Sequence, residues 1–93
     1  MIQSFADKDT ERLFKRQRPE RTPPEIWRRA HTKLLLLHAA EDLRSLSFHP
    51  GNRLEKLKGS RAGQYSLRVN DQWRLCFRWE NGGAYEVEIT DYH

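Results

Sequence analysis

From Gln64 onward apolar and polar residues alternate. Tyr65, Leu67 and Val69 alternate with Gln64, Ser66 and Arg68; Trp73, Leu75, Phe77 and Trp79 with Arg74, Cys76 and Arg78; Tyr85, Val87 and Ile89 with Glu86, Glu88 and Thr90. A period of two predicts three antiparallel strands, over Gln64 to Val69, Trp73 to Trp79 and Ala84 to Thr90, each buried on one face. Asn70-Asp71-Gln72 and Asn81-Gly82-Gly83 supply the turns. The first half has a longer period. Trp27, Ala30, Leu34 and Leu37 recur at helical spacing, and Leu36, Ala40 and Leu43 continue a neighbouring stripe. Thr22 with Glu25 three residues later resembles a capping box, and Pro23-Pro24 suits a first turn, so this helix is predicted from Thr22 to Leu43 or Arg44. A shorter helix is predicted over Asp7 to Arg16, with acids early, bases late and Arg18-Pro19 as its breaker. MIQSF reads as a short first strand, and Phe48 to Asn52 as a turn.

Strand parity fixes a register, because a one-residue slip would turn a whole strand over. Three-residue loops put Arg68 opposite Arg74, and across Asn81 to Gly83 they put Arg78 opposite Glu86, Cys76 opposite Glu88 and Arg74 opposite Thr90. Tyr92 falls one step further along the polar face, near Arg74. Arg78 beside Glu86 is an ordinary cross-strand charge pair. Arg68 beside Arg74 is unfavourable unless both splay into solvent or an anion lies between them. Trp73, Trp79 and Tyr65 share the apolar parity and belong to the core.

Charge sharpens this picture. The 93 residues carry a net charge of +4 with a pI near 9.6. Arg53, Lys56, Lys58, Arg61, Arg68, Arg74 and Arg78 fall in one stretch against Glu55 and Asp71, whereas Glu80 to Asp91 holds acids and no base. Cations mixed with aromatics suit RNA, where phosphates meet charge and bases stack on rings. A second basic set on the helices (Arg12, Lys15, Arg16, Arg18, Arg21, Arg28 and Arg29) reads as a solvated face or a phosphate-docking surface. The length fits one domain over residues 1–93. One cysteine excludes an internal disulfide, which fits a reducing cytoplasm. No apolar run is long enough to span a membrane, and no secretion signal is expected. His31, His38, His49 and His93 lack ligand spacing, so neither metal nor cofactor is expected. Cys76 reads as a small filler rather than a nucleophile.

The run from Leu54 to Trp79 has the form LxxLKGxRxGxYSLRVNxQWRLCFRW, and Asp91-Tyr92-His93 follow the last strand. In joint order and spacing these resemble the HigB-type toxins of bacterial toxin–antitoxin systems, within the RelE/ParE superfamily. The resemblance implies an α+β, RelE-like fold: two N-terminal helices packed on a mostly antiparallel, four- to five-stranded twisted sheet. It implies a cytoplasmic, ribosome-dependent endoribonuclease that cuts translated mRNA in the A site. It also implies a HigA-like helix-turn-helix antitoxin as partner, with operator DNA reached only through that antitoxin. Family roles map onto Lys58, Arg74, Asp91, Tyr92 and His93. One position departs, since some members carry histidine where this chain has Glu55.

RNA brings its own nucleophile, the 2′-hydroxyl. Cleavage without metal needs a base, an acid and cations around the phosphorane. Arg74 and Lys58 are expected to carry phosphate charge, with Lys56, Arg61 and Arg68 in support. Glu55 or Asp91 is the base. His93 is the favoured acid, because imidazole titrates near neutral pH, and Tyr92 orients the scissile nucleotide or shares proton transfer. Two alternatives remain at this stage: a ParE-like gyrase-inhibiting toxin, and a non-catalytic nucleic-acid- or protein-binding module.

Overall fold

The computed structural model describes residues 1–91; Tyr92 and His93 lie outside the described residues. Helix α1 spans Lys8–Phe14, α2 spans Trp27–Ala39 and a single turn, α3, spans Leu43–Leu46. Strands β1 (Glu55–Lys56), β2 (Gln64–Arg68), β3 (Trp73–Glu80) and β4 (Gly83–Asp91) then form an antiparallel sheet in the order β1-β2-β3-β4. The opening segment runs parallel to β4 through bridges of Ile2 with Ala84 and Phe5 with Val87. The Gln3 amide donates to the Ala84 carbonyl at 2.7 Å and the Ala6 amide to that of Val87 at 2.9 Å. The expected first strand is therefore present as a bridged fifth edge. Thr10, fully buried in α1, accepts the Ile89 amide on its hydroxyl at 2.9 Å. Together these contacts cover a strand edge that would otherwise expose unpaired backbone groups.

The helices pack on one face of the sheet. Leu13 of α1 and Ala30, Leu34 and Leu37 of α2 bury against Leu67, Leu75, Phe77, Val87 and Ile89. These are the positions that the two periodicities select, and burying each large side chain stabilises by about 1.5–3 kcal/mol. Tyr65, Trp73 and Trp79 are half-buried against this core, as their parity predicts. Among the described residues no helix is long and apolar enough to cross a membrane.

Element ends differ from the sequence expectation, each for a local reason. Helix α1 stops at Phe14, before Pro19 acts, because Arg16 turns left-handed (φ +60°). The Gln17 amide then donates to the Arg12 carbonyl at 2.7 Å and the Arg16 amide to Leu13 at 3.2 Å, which is the Schellman arrangement. Thr22 does not cap α2, which starts at Trp27 after a 3-10 turn over Pro24–Ile26. Its amide and hydroxyl both donate to the Asp9 carboxylate at 3.1 Å. Helix α2 ends at Ala39, where Ala40 becomes extended, and Asp42 caps α3 by accepting the Ser45 amide at 2.8 Å.

The last hairpin departs in an instructive way. Its loop is two residues, Asn81 and Gly82, both at positive φ (+49° and +77°), because Glu80 pairs with Gly83. Such a pair matches the twist of the flanking strands. Arg78 consequently pairs with Tyr85 rather than Glu86. A bulge between Cys76 and Arg78 then absorbs one residue, with Glu86 at φ +52°. Beyond it the expected pairs return: Cys76 with Glu88 and Arg74 with Thr90. The Arg78–Glu86 ion pair forms across the bulge all the same, at 2.7 Å.

Candidate active site

Residues opposite one another in a sheet share a face. The registers therefore line up Glu55, Ser66, Cys76 and Glu88 in one row across the four strands, and Arg68, Arg74 and Thr90 in the next. This face points away from the helices. Strand β1, which the sequence did not predict, brings Glu55 into the row. The buried Asn52 anchors the chain just before it, accepting from Lys33 and donating to the Leu46 carbonyl at 3.0 Å.

Arg74 is the organising residue. Its Nε donates to Ser66 Oγ at 2.6 Å, and its Nη2 donates to the Arg53 carbonyl at 2.6 Å and the Ser66 carbonyl at 3.4 Å. Arg53 is left-handed (φ +42°), with its carbonyl turned to the guanidinium. The Arg74 side chain is only 12% exposed, and its Nη1 lies 3.9 Å from Glu55 Oε1, whose side chain is 59% exposed. That distance is too long for a hydrogen bond but short enough for electrostatic attraction. One edge of the guanidinium is thus pinned by the protein, while Nη1 sits beside an accessible carboxylate.

The other predicted cations divide into two groups. Arg68 does face Arg74, but it neither splays into solvent nor waits for an anion: its Nη2 donates to the Asp71 carboxylate in the adjacent turn. Arg61 donates from Nη1 to Gln64 Oε1 at 2.9 Å and from Nη2 to Glu88 Oε1 at 3.0 Å. Lys56 and Lys58, on and just after β1, are exposed, and among the described residues neither has a carboxylate partner. Asp91 pairs with Trp73 and accepts from Gln72 Nε2 at 3.0 Å. The pleat directs it to the face opposite Arg74 and Thr90. The roles expected of Tyr92 and His93 fall outside the described residues.

Ser66 and Arg53 hold Arg74 and were not singled out from sequence. Parity could have found Ser66, which shares the face of Arg74; the Arg53 carbonyl depends on a backbone turn that no pattern encodes. Cys76 is fully buried beneath this face. Burial pushes its thiol up, against the opposing pull of Thr90 and Arg61, which suits a filler and not a nucleophile.

Comparison with known proteins identifies the family. The family described as "RelE-like toxin of type II toxin-antitoxin system HigB" matches residues 3–93. The chain is 39% identical over 93 residues to Toxin HigB-1 of Vibrio cholerae, covering 99% of this chain and 98% of that protein. It is 32% identical over 93 residues to Endoribonuclease HigB of Proteus vulgaris, covering all of both. In fold it resembles a mutant of YafQ from E. coli (TM-score 0.62, 15% identity, 98% of this chain and 93% of that one). It also resembles a chain of the YoeB–YefM toxin–antitoxin complex of Staphylococcus aureus (TM-score 0.60, 19% identity, 100% and 98%). The chain therefore belongs to the HigB family of RelE-like toxins of type II toxin–antitoxin systems.

Proposed function

We infer that this chain is an endoribonuclease toxin, and we propose that it cuts mRNA during translation, in the ribosomal A site. The observation that carries the reading is the guanidinium of Arg74, pinned by Ser66 and Arg53 with Nη1 turned toward Glu55. In the proposed complex Nη1 meets a phosphate oxygen and the exposed Glu55 carboxylate meets the neighbouring 2′-hydroxyl. The full-length likeness to a protein named as an endoribonuclease supports it.

In this reading Glu55 takes the proton of the 2′-hydroxyl. The freed oxygen attacks the adjacent phosphorus, and Arg74 with Lys58 bears the charge that gathers on the equatorial oxygens. His93 gives a proton to the departing 5′-oxygen, and Tyr92 orients the nucleotide. The products are a 2′,3′-cyclic phosphate and a 5′-hydroxyl. Glu55 is preferred to Asp91 as base because it shares the face of Arg74. Lys56, opposite Tyr65, is directed by the pleat to the other face and contributes only longer-range positive charge. Arg61 and Arg68, already paired with carboxylates, support the face electrostatically.

A protein antitoxin is the expected partner. Membership of a toxin–antitoxin family and the fold likeness to a chain of a toxin–antitoxin complex support this, and a HigA-like helix-turn-helix protein is the form we propose. Translated mRNA places the activity in the bacterial cytoplasm. Primer extension on an mRNA under translation tests the whole reading. New 5′ ends are expected only when the protein, ribosomes and message are present together. Intact message accompanied by DNA breaks on induction would replace it with gyrase inhibition.

A further inference from the structure

Most unpaired arginines of the described residues lie on the helical side, although Arg53, Lys56 and Lys58 beside the sheet also face no carboxylate. Arg61, Arg68, Arg74 and Arg78 each face a carboxylate: Glu88, Asp71, Glu55 and Glu86. Among the described residues Arg16, Arg18 and Arg28 face none, and all three are exposed. These three line a single groove between α1 and α2, together with Leu13, Trp27 and His31. Leu13 and Trp27 give it an apolar floor. The one polar atom of Trp27 is used internally, since Nε1 donates to the Thr22 carbonyl at 2.8 Å, so the ring offers only hydrocarbon to an occupant. Arg16 adds an independent sign. It occupies the left-handed position after α1, where glycine is favoured, at a cost of roughly 1 kcal/mol. A strained residue that keeps a charge at a groove rim points to an interaction made there.

We propose that this groove seats an acidic segment of the antitoxin that inserts an apolar side chain over Leu13 and Trp27. The proposal rests on the toxin–antitoxin reading and adds the surface to it. Three unmatched guanidiniums select carboxylates and steer their approach. The apolar floor favours a protein side chain over a run of phosphates. Helices α1 and α2 cover the face of the sheet opposite Arg74, so a segment seated here leaves Glu55 and Arg74 uncovered.

The test uses the full chain and the purified antitoxin encoded beside it. Reversing three rim charges (Arg16→Glu, Arg18→Glu and Arg28→Glu together) is expected to weaken binding at least tenfold, whereas the triple lysine variant stays within about threefold of the wild type. Wild-type affinity is also expected to fall as salt rises, a measurement that needs no variant to fold. Unchanged affinity in the folded glutamate variant, or wild-type binding indifferent to salt, overturns the proposal. So does a glutamate variant that keeps the antitoxin but loses ribosome association, which would assign the groove to RNA. Cleavage of translated message is assayed in parallel. If the wild type cuts nothing, the nuclease reading fails while the binding result stands by itself.

Discussion

At the scale of single residues, the hydroxyl of Ser66 determines how Arg74 is aimed. A guanidinium has several donors, and Ser66 together with the Arg53 carbonyl engages two of its three nitrogens, leaving Nη1 toward Glu55. Ser66→Ala removes the Nε acceptor from a fully buried position. Stability is expected to fall by about 1 kcal/mol, the net worth of one hydrogen bond. Cleavage is expected to fall by about tenfold to a hundredfold, because a small misplacement of a charge-bearing group is costly at the transition state. Single-turnover cleavage beside thermal melting separates the two effects; a loss of stability with full cleavage would leave Ser66 a packing residue. Glu55→Gln keeps the shape but removes the base, so a decrease of about 10²–10⁴ in cleavage is expected with little change in melting. Full activity in that variant would return the role to Asp91. Arg74 was legible in sequence from strand parity, as was the basic character around it. The partnership with Glu55 was not, because β1 is only two residues long and too short to display alternation.

At the scale of elements, two contacts that no periodicity reveals fix how the helices meet the rest. Asp9 on α1 accepts amides from Glu20 at 2.9 Å, Arg21 at 2.8 Å and Thr22 at 3.1 Å, so one carboxylate ties the helix to the approach to α2. Burial alone would raise its carboxyl, but these bonds and the Thr22 hydroxyl more than offset that and hold it below the ordinary value. A lowered folded pKa means the stabilisation is complete above the unfolded carboxylate range and is lost as pH falls through the folded value. Asp9→Asn is therefore expected to cost roughly 1–3 kcal/mol at pH 7. The gap to wild type should begin to narrow below about pH 4, as the unfolded carboxylate protonates, and close only once pH falls below the lowered folded value. Denaturant midpoints across pH give the comparison, and a gap constant down to pH 2 would discount the charge. Arg16→Gly relieves the left-handed backbone at the end of α1, so a gain of about 1 kcal/mol, or some 4–8 °C in Tm, is expected. The same change should weaken antitoxin binding if the groove is as proposed. The sequence located α1, α2 and three of the four strands because their apolar patterns extend over many residues, but it ran α2 on into α3. It misplaced their ends because caps and bulges are decided by single side chains and backbone turns: Thr22 serves Asp9 rather than α2, and the bulge at Glu86 offsets a loop one residue shorter than parity required.

At the scale of the whole molecule, the sheet separates two surfaces of different character. On the helical side Arg16, Arg18 and Arg28 are left for a partner. On the other side most arginines are neutralised in place around Glu55 and Arg74, and Lys58 stands exposed just after β1. Strand β4 links the two sides. Its Val87 and Ile89 are buried in the core beneath the helices, the Ile89 amide is held by Thr10 of α1, and Thr90 stands opposite Arg74. The chain therefore arrives at the proposed phosphate site on a strand already secured by the core, and the final two residues can be tested apart from the fold. Deleting residues 92–93 removes the proposed acid and the orienting phenol but none of the buried side chains of β4. Melting and antitoxin affinity are expected to stay near wild type. Cleavage of translated mRNA is expected to fall by about 10²–10⁴, the usual contribution of a positioned acid, and growth arrest on induction should disappear with it. Restoring only Tyr92 should recover orientation without proton transfer, so cleavage should stay low and respond less to pH than in the full chain. Undiminished arrest by the shortened protein would require the leaving oxygen to be protonated by a group on the described face, and Lys58 would then be the first residue to substitute.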